Sequence, residues 1–174
     1  MNAGRMVLVV SPPIVRRTMS WGIWNVVRLM MKGLLLTLTR WQVSNNETPM
    51  PEGPLILVCN HLSWVDAFVL MPVLSRRFSF IVKRDERLRS RPRIMFFRSL
   101  GAFPANQGRQ HRAYRVLGMN RAIGIFPEGL SSPCARLRRG HPGAAHIALH
   151  TGAPILPVAI TGTEKLKHQH FFRA

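Results

Sequence analysis

Acidic residues are what this 174-residue chain has least of: 7 Asp and Glu stand against 25 Lys and Arg, a net charge of +18. Such a surface seeks anionic partners, which leaves nucleic acid, an anionic membrane surface and phosphorylated metabolites in view. Cysteine is almost missing as well. Cys59 sits in an apolar run, Cys134 in a loop, and no CxxC pair occurs, so neither a disulfide framework nor a thiolate zinc site is expected. No uncharged run approaches the ~20 residues a bilayer span requires. The apolar stretch Val7 to Val10 is too short for a secretory signal and runs into Ser11-Pro12-Pro13, so a cytosolic setting is expected. What is plentiful is apolar material, 47% of residues, enough for one domain with a real core.

Residues 1–43 read as an N-terminal interfacial segment. Between Ile14 and Trp41 the pattern is helical and apolar but broken by cations. Arg17, Trp21, Trp24, Arg28 and Lys32 recur along one stripe, and Ile23, Val26, Val27, Met30, Leu34 and Leu38 fall on the other side. That is the pattern of an amphipathic helix lying in a membrane surface, cations and tryptophans at headgroup level and aliphatics below. The plainer alternative packs the aliphatic side on the protein's own core and leaves the basic stripe in water. A polar connector from Ser44 to Pro49 then leads into the domain proper, residues 44–174.

From Pro54 onward, β-rich runs (Leu55 to Cys59, Phe78 to Val82, Ala102 to Ala105, Ala122 to Phe126, Ile155 to Ile160) alternate with helical stretches (Ser63 to Leu74, Arg87 to Arg98, Gln110 to Met119, Ala144 to His150). The alternation predicts an α/β layered domain. Nine basic residues between Arg76 and Arg98 face only Asp85 and Glu86, which suits either a solvated helix face or docking to anionic headgroups. No recognition-helix, RRM or OB pattern supports a nucleic-acid partner.

Two short stretches carry chemistry. In Pro54 to Asp66, an apolar strand ends in Asn60-His61 and Asp66 follows five residues after the histidine. Positions five apart on one helix point roughly 140° from each other. His61 must therefore lie ahead of the helix, its ring folded back toward Asp66. The carboxylate then accepts the Nδ1 proton and leaves Nε2 free to take a proton from a hydroxyl. The bland alternative is a capped helix beside a surface histidine. The second stretch is Ile123 to Gly129, where a strand delivers Glu128, the first acid after Glu86, between Pro127 and Gly129. Its plain role would be pairing with an arginine, whereas the flanking proline and glycine favour fixed presentation at a strand-end crevice.

With these residues in place, the chain resembles the glycerolipid acyltransferases of the lysophosphatidic acid acyltransferase type. Asn60, His61 and Asp66 match Asn-His-x4-Asp, Phe126 to Gly129 match Phe-Pro-Glu-Gly, and Ile155 to Ile160 with Thr161-Gly162-Thr163 match an apolar strand with a central proline. The resemblance runs from about Trp41 to Leu166. It implies an acyltransferase-like layered domain with a mixed sheet flanked by helices, preceded by the membrane-surface helix. It implies transfer of a fatty acyl group from acyl-CoA or acyl carrier protein to the free hydroxyl of a lysophospholipid, foremost lysophosphatidic acid. His61 would be the base and Asp66 its orienter, with no metal and no cofactor beyond the thioester co-substrate. Asn60, Pro127, Glu128 and Gly129 would contact substrate. The expected location is the cytoplasmic face of the cell membrane, peripheral or monotopic, with no nucleic-acid partner.

Two positions depart from the family pattern. Gln107 stands where an arginine usually follows the Gly101 to Asn106 stretch, and Leu130-Ser131-Ser132 replaces Thr-Arg-Ser. Either Arg109, Arg112, Arg136, Arg138 or Arg139 would then meet the acceptor phosphate, or the acceptor would be a different one. A covalent route through Cys59 is the chemical alternative. The pairs His146/His150 and His168/His170 read as ordinary helix and tail residues. The rival from another class is a non-catalytic, basic membrane-binding or lipid-carrying protein. The end at Ala174, soon after the last motif strand, raises the expectation of a further C-terminal segment.

Overall fold

Burial on alternate residues fixes the layout. Along Leu55–Cys59, Leu55, Leu57 and Cys59 point into one apolar cluster with Leu70, Leu74, Phe78, Phe80 and Ala122, while Ile56 points into another with Phe103, Leu117, Ile123, Ile125 and Ile147. A strand apolar on both sides belongs in the middle of a sheet covered on both faces. The computed structural model describes residues 21–39, 42–44, 50–63, 65–74, 76–83, 101–105, 110–132 and 136–165. Its elements are α1 (Trp21–Leu38), β1 (Leu55–Cys59), α2 (Asp66–Leu70), β2 (Phe78–Lys83), β3 (Phe103–Ala105), α3 (Gln110–Gly118), β4 (Ala122–Ile125), α4 (Gly143–Thr151), β5 (Ile155–Val158) and a 3₁₀ turn, Thr163–Lys165.

The five strands form one sheet in the order β3-β2-β4-β1-β5. Every pairing among the described strands is parallel, which corrects the mixed sheet expected from the resemblance. The reason is connectivity: α2, α3 and α4 each lie in a crossover between successive strands, and helical crossovers return the chain in the same direction. Register sets Val58 beside Ile125 and Cys59 beside Val158, so the chain leaves β1, β4 and β5 at one edge of the sheet. Ligands bind at that carboxyl edge in open α/β sheets.

The helix read over Ser63 to Leu74 is shorter, beginning at Asp66, because the Asp66 side chain takes up the turn before it. The stretch Arg87 to Arg98 lies outside the described residues, as do Ile14 to Ser20, Cys134 and His168/His170. Two cations of the basic run are structurally spent. The Arg76 guanidinium donates to the carbonyls of Pro51, Gly53 and Asn120 at the amino edge of the sheet. Arg77 lies over the Trp24 ring, 5.3 Å from its centroid.

That contact takes Trp24 out of its expected place among the headgroups, while the aliphatic side of α1 stays outward. Trp24 is buried, 3% exposed, and faces the domain rather than headgroups. Val26, Leu29, Met30, Leu34 and Leu36 are the residues left outside. Among the described residues no helix is long and apolar enough to cross a membrane.

Candidate active site

His61 emerges from β1 with almost every group already committed. Its Nδ1 lies 2.8 Å from Asp66 Oδ2. Its N–H donates to Glu128 Oε1 at 3.2 Å, and its carbonyl accepts from the Ser132 N–H at 2.8 Å. Its ring stacks on Phe126, centroids 4.3 Å apart and planes inclined by 22°. A carboxylate only accepts hydrogen bonds, so the Asp66 contact assigns the proton to Nδ1 and leaves Nε2 with its lone pair. The side chain keeps 20% of its surface exposed. Among the described residues Nε2 has no hydrogen-bond partner.

Asp66 is fully buried, and one oxygen does most of its bonding. Oδ2 accepts from His61 Nδ1, from the Leu62 N–H at 2.7 Å and from the Ser63 N–H at 2.8 Å. Three donors offset the cost of taking a carboxylate out of water. Oδ1 is buried without a hydrogen-bond partner. The local sequence folds this way because the side chain at the first residue of α2 closes the turn His61-Leu62-Ser63 upon itself, bringing the ring back as the five-residue spacing predicted.

Glu128 is committed to main-chain donors through both oxygens. It is 6% exposed, and Oε2 accepts the Arg138 main-chain N–H at 3.2 Å while Oε1 holds His61. The carboxylate therefore ties two loops to each other, and among the described residues no guanidinium pairs with it. The turn that aims it is closed by the Gly129 N–H donating to the Phe126 carbonyl, 3.1 Å, with Gly129 at φ +70°. A side chain there would carry the strain of left-handed backbone. Pro127 contributes its carbonyl to the His141 N–H at 2.8 Å.

Asn60 also turns inward. Its Nδ2 donates to the Ile160 carbonyl at 2.8 Å and its Oδ1 accepts the Ile160 N–H at 2.7 Å, so the amide clamps the end of β1 to the chain leaving β5. Cys59 offers no nucleophile. Burial pushes its thiol up to about 12, with the Asp66 and Glu128 carboxylates adding to the effect, and a protonated thiol near neutral pH does not attack a thioester. Among the described residues no three His, Cys, Asp or Glu side chains converge as a metal-ligand set.

At the carboxyl edge of a parallel sheet, a buried carboxylate thus pins one nitrogen of a histidine whose main chain is braced by a Pro-Glu-Gly turn. The family model for Acyltransferase matches residues 40–161. The chain belongs to the Acyltransferase family. It is 32% identical over 123 residues to a 1-acyl-sn-glycerol-3-phosphate acyltransferase of Cocos nucifera, covering 62% of this chain and 37% of that protein. A Saccharomyces cerevisiae protein of the same description is 27% identical over 131 residues, covering 69% and 43%. The crystal structure of the 1-acyl-sn-glycerophosphate (LPA) acyltransferase PlsC from Thermotoga maritima superposes with a TM-score of 0.69 at 25% identity, covering 85% of this chain and 61% of that one. The chain spans about two fifths of the length of the curated relatives it matches.

Within this acyltransferase domain the structure unites His61, Asp66, Asn60, Pro127, Glu128 and Gly129 at one sheet edge. Arg109 lies outside the described residues. Sequence reasoning missed the ring stack. Phe126 rests on Phe80, centroids 5.7 Å apart, and Phe80 lies over Gly124, where an added Cβ would come 2.4 Å from its ring. The signal was there in the alternation Ala122-Ile123-Gly124-Ile125-Phe126, which puts Gly124 and Phe126 on one face. Gly124→Ala is accordingly expected to destabilise the domain by about 1–3 kcal/mol through overpacking. It also lowers turnover, because the displaced Phe80 carries Phe126 and the imidazole with it. A thermal melt and kcat on one preparation check both; an unchanged pair would show that the stack has no bearing on His61.

Proposed function

We propose that this chain catalyses transfer of a fatty acyl group from a thioester, acyl-CoA or acyl carrier protein, to the free hydroxyl of a lysophospholipid, with 1-acylglycerol-3-phosphate the foremost acceptor. The observation that carries the reading is the 2.8 Å contact between His61 Nδ1 and the buried Asp66, which leaves Nε2 as a base facing the sheet edge. An alcohol is a weak nucleophile near neutral pH and needs such a base.

The hydroxyl gives its proton to His61 Nε2 as its oxygen attacks the thioester carbonyl. A tetrahedral intermediate forms, and the imidazolium is held by Asp66 Oδ2 through the Nδ1–H. Collapse expels the thiolate sulfur, which takes the proton back from Nε2, leaving a new ester and a free thiol. Glu128 and Asn60 serve this sequence from behind, the first by fixing the His61 main chain and the second by locking the end of β1 to Ile160. The names of the similar proteins support glycerophosphate lipids as the acceptor class.

Incubating the purified chain with radiolabelled acyl-CoA and a panel of lysolipids tests the reading. Labelled diacyl lipid and one equivalent of free thiol are expected. A lipid-carrying protein would bind the same molecules and release no thiol, and that result would overturn the proposal.

Contact with the cytoplasmic face of an anionic membrane forms part of the proposal. The exposed side of α1, with Val26, Met30 and Leu34, is the surface that would enter the acyl region, and Arg28 and Lys32 would meet headgroups. Arg28→Gln with Lys32→Gln is expected to weaken sedimentation with anionic liposomes at low salt by several-fold. Equal sedimentation of parent and variant would remove the electrostatic part of that surface.

A further inference from the structure

The reading of the site as an acyltransferase, on which this inference rests, creates a demand that Gln107 and Ser131 do not meet. In a 1-acylglycerol-3-phosphate the reacting hydroxyl sits on the carbon next to the one bearing the phosphate. When that hydroxyl reaches His61 Nε2, a phosphomonoester must lie close by, and it needs cations.

Several described arginines are committed elsewhere. Arg76 is spent on three carbonyls, Arg77 lies over Trp24, and Arg112 lies over the Phe103 ring, 4.9 Å from its centroid. The segment Arg136 to His141 is different. Arg136, Arg138, Arg139 and His141 are all exposed, and the three arginine side chains make no hydrogen bond or ion pair among the described residues. No acid occurs in sequence between Glu128 and Glu164 to neutralise them.

The segment is also tied to the base. The Arg138 N–H binds the same Glu128 carboxylate that holds the His61 N–H, so one carboxyl group separates the two main chains. The His141 N–H binds the Pro127 carbonyl, and the His141 ring packs beside Gly129, where an added Cβ would lie 3.5 Å from Cδ2. A cleft of about 330 Å³ runs along Arg139, Gly140, His141 and Pro142. The hydrogen-bonded tethers use the main-chain N–H groups of Arg138 and His141, which leaves the arginine side chains available for a ligand.

We propose that Arg136, Arg138, Arg139 and His141 form the phosphomonoester pocket of the acceptor, held in register with the base by Glu128. The pocket takes over the charge that Gln107 and Ser131 lack. Because the coenzyme A donor also carries phosphate, the same chemistry has a second source, and the experiment separates the two.

Arg139→Gln and the double variant Arg138→Gln/Arg139→Gln keep every main-chain tether. Kinetics in neutral-detergent micelles are expected to show KM for 1-acylglycerol-3-phosphate raised at least about tenfold, with kcat and KM for acyl-CoA little changed. Arg112→Gln is expected to leave KM for the acceptor as in the parent. Calorimetric titration with glycerol 3-phosphate supplies a readout independent of turnover, and the double variant is expected to bind it at least about tenfold more weakly. An unchanged acceptor KM together with unchanged glycerol 3-phosphate affinity would overturn the pocket, as would a rise confined to KM for acyl-CoA. Failure of the parent to acylate any lysolipid would instead strike the acyl-transfer reading, and the titration would still decide whether the pocket exists.

Discussion

His61→Ala is expected to reduce acyl transfer by about 10³-fold or more while leaving the fold in place, since a positioned general base contributes roughly 10²–10⁴-fold and the truncated side chain also removes the contact that places the hydroxyl. The fold survives because the two contacts that hold this part of the chain are main-chain bonds, from His61 N to Glu128 and from Ser132 N to the His61 carbonyl, and alanine keeps both. Asp66 loses one donor of three and remains bonded to the N–H groups of Leu62 and Ser63. What disappears is the stack on Phe126, worth about 1 kcal/mol. Thiol release from acyl-CoA with lysophosphatidic acid present, measured beside a circular dichroism spectrum, checks the two halves together. Turnover within tenfold of the parent on a folded protein would reject His61 as the base.

Asp66→Asn is expected to lower kcat by about 10²-fold or more with a much smaller loss of stability than Asp66→Ala. The asymmetry of the Asp66 carboxylate makes asparagine informative. An amide oxygen placed at Oδ2 still accepts from Leu62, Ser63 and Nδ1, and the amide nitrogen takes the position of Oδ1, which has no hydrogen-bond partner to lose. The turn is kept and the negative charge is gone. The imidazolium that forms during attack is then no longer neutralised, a loss felt in the transition state and not in acceptor binding. The signature is a fall in kcat with KM for the acceptor unchanged. In Asp66→Ala the same N–H groups are left buried without a partner, so stability falls as well. Equal turnover of parent and Asp66→Asn would reduce Asp66 to a turn-closing residue.

Period-two burial and motif spacing made much of this legible in the chain. The five strands and the helices α3 and α4 lie within a residue or two of where alternation placed them, because each is apolar on a side that packs on the core. The fold of His61 back onto Asp66 followed from the spacing alone, as five residues cannot meet on one helical face. Three things were not legible. Strand direction depends on which crossover carries a helix, and so the sheet is parallel throughout its described pairings. The burial of Trp24 depends on Arg77, a residue far away in sequence, meeting its ring. The inward use of Asn60 and Glu128 depends on main-chain groups of Ile160 and Arg138, and main-chain donors are invisible to a reading by side-chain type.

If His61 and Asp66 act as one unit, their effects on turnover cannot add. The direct test is a double-mutant cycle in kcat for acyl transfer to lysophosphatidic acid, using the parent, His61→Ala, Asp66→Asn and the double variant. Once the imidazole is gone, removing the Asp66 charge should cost nothing further, so the double variant is expected to match His61→Ala within a few-fold. Multiplicative losses in the double variant would mean that the carboxylate works independently of the histidine, and would contradict the base assignment.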